Sequence, residues 1–277
     1  MAMAKGQPAE AANHVSLLES GEDALLARLH LIEHAERTID FQTFIWVNDE
    51  SGQLLANALI AAAKRGVKVR ILVDYIGLAK DAKALALVTR AHPNLEVRVY
   101  RPTARTLEKG YFGTLWYLLT NFKGANQRMH NKVIVIDNAV AITGGRNVEN
   151  SYFSHSLSMN FKDRDALIVG PVAEQMTQSF VSFWNYRRTV AAESLRDVAQ
   201  AKPEMDVLVT PLGKRLKAVM HRARNAGAVK AAIVRPLRRV QSVAFVSDLP
   251  GKNGAYHLNG GGRATTHVLR ALGEADR

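Results

Sequence analysis

Apolar residues recur at helical spacing through residues 21–36, where Leu25, Leu29 and Ile32 share one face, and the spacing predicts a helix. The next stretch, residues 38–47, is a nearly unbroken run of β-branched, aromatic and aliphatic side chains and reads as a buried strand. A second helix is predicted from Ser51-Gly52 to Lys64-Arg65-Gly66, where cations near the end and a glycine just beyond it form a stop signal. A strand over 67–73, a helix near 80–91 and a strand over 95–100 follow. Such alternation is the pattern of an α/β sheet covered on both faces. Two short apolar runs, 132–137 and 139–143, are predicted as paired strands, with Asn138 suited to the tight turn between them. A strand near 164–169 ends at Gly170-Pro171, and a helix is predicted from about 171 to 189. Phe180 and Trp184, one helical turn apart on it, are expected to pack in the core.

Beyond Ala191 the patterning weakens. Residues 191–240 are rich in Ala and Arg and are expected to be a linker and helical region, with Arg235-Pro236-Leu237-Arg238-Arg239 as a basic linker or surface loop. Val243 to Val246 reads as a strand, and the run after Gly260-Gly261-Gly262 as a helix carrying Thr265, His267, Leu269 and Leu272.

Composition narrows the setting. The chain has 277 residues, 47% of them apolar, enough for a sizeable core. Lys and Arg outnumber Asp and Glu 37 to 25, a formal charge of +12, which favours an anionic partner: nucleic acid, an anionic bilayer or a phosphodiester. The absence of cysteine excludes disulfide scaffolds and thiolate metal sites. The N-terminal residues lack the apolar run of a signal peptide. The aromatic run 111–122 is shorter than the roughly 20 residues that cross a bilayer; flanked by Lys109 and Lys123, it reads as either a buried helix or a lipid-facing segment.

The chemistry concentrates in one cassette. His130, Lys132 and Asp137 are spaced H-x-K-x4-D, and Gly144, Gly145 and Asn147 follow. No other histidine of the nine has a lysine two residues later. Strand alternation sorts the cassette: His130 and Lys132 fall on one face with Ile134 and Ile136, and Asp137 on the other. Asp137 is therefore expected to hold neighbouring strands or loops. A neutral imidazole at His130 can attack phosphorus and divide one hard displacement into two easier ones. Lys132 and the Asn147 amide can donate to the non-bridging oxygens, and Gly144 and Gly145 permit close backbone approach. The leaving alkoxide needs a proton from a second group. The scheme requires no metal or cofactor.

These residues resemble the phospholipase D superfamily, and the chain is most similar to its bacterial cardiolipin synthases. The likeness extends to Arg128-Met129-His130-Asn131-Lys132, to Tyr152-Phe153, and to Leu17 through Glu22 and Ile39 through Trp46. It implies a mixed sheet flanked by helices, with residues 1–190 as a catalytic half and 241–277 as the incomplete start of a second half. It implies His130 as nucleophile, Asp137 as the third member of the motif, and Lys132 and Asn147, with Gly144 and Gly145, around the phosphate. It also implies an acid that bonds the other nitrogen of the histidine, mapped onto Asp163, with Asp165 as the alternative. Phosphatidyl transfer between glycerophospholipids such as phosphatidylglycerol follows from the resemblance, in the cytoplasm or at the bacterial inner membrane against an anionic surface. A homodimer that completes the site, an endonuclease acting on nucleic acid as a dimer, and an inactive remnant are the competing expectations.

Overall fold

The computed structural model describes residues 12–107, 128–202, 211–251 and 263–274; the aromatic run 111–122 lies outside them. Among the described residues nine strands form one sheet: β1 (Asn13–Leu18), β2 (Thr38–Thr43), β3 (Lys68–Asp74), β4 (Leu95–Tyr100), β5 (Val133–Ile136), β6 (Val140–Gly144), β7 (Asp165–Val169), β8 (Thr189–Ala191) and β9 (Arg238–Val240). Their order across the sheet is β8-β4-β3-β2-β5-β6-β7-β1-β9. Strands β2, β3 and β4 are mutually parallel, and every other pairing is antiparallel. The sheet is thus mixed and flanked by helices, as anticipated.

The parallel strands are joined by crossover helices, as parallel geometry demands. Helix α1 (Gly21–Glu33) precedes β2, α2 (Glu50–Lys64) links β2 to β3, and α3 (Ala82–Thr89) links β3 to β4. Each begins at a side-chain cap: Ser20, Asp49 and Asp81 accept the N–H groups of Asp23, Gly52 and Ala84. Leu25, Leu26, Leu29 and Ile32 of α1 are buried against Ile134, Ile136 and Ile142, so that face of the hairpin belongs to the main core. Full burial of such side chains stabilises by about 1.5–3 kcal/mol each. The alternate residues Val133, Val135 and Ala141 face helix α4 (Val172–Trp184) through Val172, Ala173 and Met176. Phe180 and Trp184 do pack together, rings stacked 5.4 Å apart, with the Arg70 guanidinium over both. Arg70 in turn forks onto buried Asp40, both bonds 2.7 Å.

Several boundaries differ from the sequence reading. The strand expected over 38–47 stops at Thr43, because residues 44–47 leave the ladder to pair singly with Leu78 and Val148. The helix expected to reach 189 ends at Trp184, and Thr189–Ala191 becomes edge strand β8 beside β4. Strand β1, whose alternation is imperfect, was not expected; it fills the place between β7 and β9. Within 191–240, expected as a linker and helical region, the described residues include helix α5 (Lys214–Arg224), which inserts Leu216, Val219 and Ala223 into the same core, and β9, which pairs with β1. Val243 to Val246 is not a strand; Val243 and Phe245 instead cap the α4 side of the sheet as irregular chain. Helix α6 (Arg263–Glu274) forms where a helix was expected. Among the described residues no helix is long and apolar enough to cross a membrane.

Candidate active site

The cassette meets the ends of several strands at one edge of the sheet. Ladder register places Val133, the first residue of β5, opposite Gln42 near the end of β2 and Thr143 near the end of β6. Gly144 at the end of β6 faces Asp165 at the start of β7. His130, Asn131 and Lys132 therefore lead into β5 exactly where β2 and β6 finish, one step ahead of the ladder that the sequence reading had begun at residue 132. The Lys132 carbonyl still touches β6, accepting from Thr143 Oγ1 at 3.0 Å.

His130 is exposed and Lys132 is buried. The Lys132 ammonium donates to the His130 carbonyl at 2.7 Å and lies 3.2 Å from His130 Nδ1. Burial pulls this ammonium below its ordinary pKa, and the Asp163 carboxylate opposes the shift. Phe44, the first residue after β2, closes the other side, its ring 4.5 Å from the imidazole and 5.5 Å from the Lys132 ammonium.

The segment entering the cassette is anchored from below. Asp74, at the end of β3 and fully buried, accepts from Arg128 Nε at 2.9 Å and from the Met129 N–H at 2.9 Å. A charged pair taken out of water is held only by such multiple, well-directed bonds. It fixes the two residues before His130.

Asn147 is buried, and its side-chain oxygen accepts the Ile45 N–H at 3.0 Å. That contact ties the end of β6 to the residues just after Phe44 and leaves the amide NH2 as the group Asn147 can offer a ligand. Gly144 and Gly145 are tightly enclosed. A Cβ on Gly144 would lie 2.2 Å from Asp165 Oδ1, and one on Gly145 would lie 2.0 Å from Asp163 Oδ1. Their N–H groups already donate to the carbonyls of Lys132 and Arg164, at 3.4 and 3.3 Å. What these glycines supply is room for the protein's own carboxylates.

The two candidate acids differ sharply. Asp165 is buried and ion-paired with Arg28 at 3.0 Å and Arg146 at 3.3 Å, so it serves the core. Asp163 is only half-buried, lies against Gly145 and is near enough to Lys132 to act on its charge. Buried Arg146 holds this region together by donating to the carbonyls of Leu18 and Glu19, each at 2.8 Å, and to that of Asp163.

Asp137 sits at the far end of the hairpin. Asp137 and Asn138 form a two-residue turn with φ of 53° and 56°, closed by the Ala139 N–H to the Ile136 carbonyl. Its carboxylate accepts the N–H groups of Glu36, Arg37 and Thr38 at 3.0, 2.8 and 2.7 Å. Partial burial alone would raise its pKa, but these N–H bonds outweigh it and the carboxyl is held below 3.8.

Phe44, Asp74, Arg128 and Arg146 were not singled out as site residues from the sequence. Of the four, Asp74 alone directly follows an apolar run, Ile71-Leu72-Val73, which is the signal that could have marked it.

The sequence matches the family described as cardiolipin synthase, PLD-like domain, over residues 29–184. An uncharacterized protein of Helicobacter pylori strain J99 is 36% identical over 246 residues, 85% of this chain and 47% of its own length. Cardiolipin synthase C of Escherichia coli K12 is 35% identical over 234 residues, 84% of this chain and 45% of its own. The chain thus spans less than half the length of these relatives. A solved structure described as a phospholipase D family member, Nuc from Salmonella typhimurium, aligns at TM-score 0.45 and 21% identity, over 66% of this chain and 98% of its own.

Proposed function

This chain belongs to the phospholipase D superfamily, through its cardiolipin synthase, PLD-like domain, and from that premise we propose that it transfers a phosphatidyl group between glycerophospholipids by way of a phosphohistidine. The observation that carries the reading is an exposed imidazole at His130 beside a buried ammonium 3.2 Å away, at the edge of the sheet where Asn147 and Asp163 also sit.

In the first step a nitrogen of neutral His130 attacks the phosphorus of a diester such as phosphatidylglycerol. The bond from phosphorus to the headgroup oxygen breaks, and the departing alkoxide takes a proton from an acid. In the second step the hydroxyl of an acceptor lipid attacks the same phosphorus and returns its proton. The P–N bond breaks, a new diester leaves and His130 is regenerated. Lys132 and the Asn147 NH2 hold the non-bridging oxygens throughout. For Nε2 to attack, Nδ1 must carry the ring proton, so Lys132 must let go of Nδ1. An arriving phosphate draws the ammonium to its own oxygens, and Asp163 accepts Nδ1–H in its place. The acid for the alkoxide comes from a second copy of the chain across a two-fold axis, where one patch meets itself. The protein works at an anionic membrane surface, where its substrates are.

Purified protein incubated with phosphatidylglycerol vesicles, with lipid products resolved by mass spectrometry, tests the reading. The expected outcome is a new phosphatidyl ester, absent with His130→Ala. Cleavage of DNA with no lipid product would replace it with the nuclease reading.

A further inference from the structure

We propose that the loop of residues 154–162 inserts into the surface of an anionic glycerophospholipid bilayer and seats the mouth of the active site on its substrate. The proposal rests on the lipid reading above and adds the surface by which the protein would reach that lipid.

Three apolar side chains within five residues of this loop point into solvent. Leu157 is 105% exposed, Met159 59% and Phe161 42%. Single exposed apolar residues are ordinary, but clustered ones on one projection mark an interaction site. The polar residues between them bond to one another. Asn160 accepts the Ser156 N–H and donates to the Ser156 carbonyl, both at 3.0 Å, and the Ser158 N–H donates to Ser156 Oγ at 3.3 Å. These bonds satisfy polar groups within the loop and brace it, while Ser158 and Asn160 stay exposed beside the apolar positions.

The base of the loop is pinned. The His155 N–H donates to the Asn150 carbonyl and the Phe161 N–H to the Ser151 carbonyl, each at 2.9 Å, and the Phe161 ring lies 4.8 Å from Tyr152. A braced loop loses little conformational freedom on docking, which leaves more of the burial energy as affinity.

Position and charge select the occupant. The loop runs directly into Asp163, which rests against Gly145 beside the cassette. Exposed Lys162 and Arg164 stand at its base, Arg164 paired with Glu19 at 2.9 Å, and the whole chain carries +12. Apolar side chains that project past an exposed lysine on a chain of net positive charge match acyl chains beneath anionic headgroups.

The chain has no cysteine, so Leu157→Cys labelled with an environment-sensitive fluorophore reports on this position alone. With phosphatidylglycerol vesicles its emission should shift to the blue and be quenched by brominated acyl chains. Co-sedimentation of Leu157→Asp/Met159→Asp with the same vesicles should fall roughly a hundredfold in partition, as expected for two large apolar side chains kept from the acyl layer. Turnover of a monomeric short-chain diester should not change. A variant of unaltered circular dichroism and melting temperature that binds vesicles as the parent does overturns the proposal, as does a label that neither shifts nor is quenched. Loss of dimer in the double variant with vesicle binding intact also overturns it, and assigns the loop to a second copy. If neither protein turns over the short-chain diester, the catalytic reading fails, while the vesicle measurements still decide the loop.

Discussion

The ammonium of Lys132 donates to the backbone carbonyl of His130 at 2.7 Å and lies 3.2 Å from Nδ1 of the same histidine. A buried cation without a carboxylate in direct contact is a poor way to stabilise a fold, and burial accordingly lowers its pKa. At neutral pH the fold works against the charged form, so removing the charge should not cost stability. Lys132→Met is predicted to melt at the same temperature as the parent or higher. Its turnover should fall by two orders of magnitude or more, because losing a transition-state donor costs about 3 kcal/mol. Calorimetry and a phosphodiester assay on the same preparation check both halves.

The clearance between Gly145 and Asp163 gives a second prediction. A methyl on Gly145 would lie 2.0 Å from Asp163 Oδ1, and the nearest atoms all belong to the Asp163 side chain. Gly145→Ala should therefore fold and displace that carboxylate. Activity should drop on the order of a hundredfold, as a misplaced group costs in a preorganised site. Gly145→Ala combined with Asp163→Ala should be no worse than Asp163→Ala alone. Additive losses in that cycle would separate Gly145 from the acid.

Asp163 and Asp165 should fail in different ways. Asp165→Asn leaves Arg28 and Arg146 buried without their counter-charge, a defect of about 3–5 kcal/mol, and should appear as a large drop in denaturation midpoint. Asp163→Asn should keep the midpoint and alter the pH dependence of turnover on the limb set by His130. If the two phenotypes were exchanged, Asp165 would be the acid that serves the histidine.

What the sequence could and could not show follows from contact range. The cassette was legible because His130 and Lys132 are two residues apart, and Asp137 closes a hairpin whose alternation sorts its own faces. The different surroundings of Asp163 and Asp165 were not, because they depend on Arg28 and Arg146 arriving from distant elements. Phe44 and Asp74 were hidden for the same reason: they lie where β2 and β3 finish, and only the antiparallel β2–β5 register together with the parallel β2–β3 register brings those ends to the segment that carries the histidine. Gly144 and Gly145 were read as room for a phosphate, while the carboxylates they accommodate become visible only once β7 lies beside β6. Strand β8 and the irregular course of Val243 to Val246 are decided by neighbouring chain; three residues at a sheet edge carry too little pattern to declare themselves.

The last prediction concerns Asp137, whose carboxylate receives the N–H groups of Glu36, Arg37 and Thr38. Its burial opposes ionisation, but the N–H bonds prevail and hold its folded pKa below the ordinary 3.8. A carboxyl depressed by folding stabilises the protein at every pH above its unfolded value, and that contribution disappears as pH falls through the folded one. Asn isolates the charge, because it keeps the hydrogen-bonding shape and tolerates the φ of 53° found here. Asp137→Asn should therefore melt below the parent by a constant margin from pH 6 to 8, a range chosen to sit about two units or more above a carboxyl's ordinary pKa. The margin should shrink below pH 3.8 and vanish in stronger acid. Turnover per folded molecule should be unaffected, since Asp137 lies at the far end of the hairpin from His130. A margin independent of pH would show that shape and not charge joins this turn to the start of β2, and a selective loss of turnover would move Asp137 into the catalytic machinery.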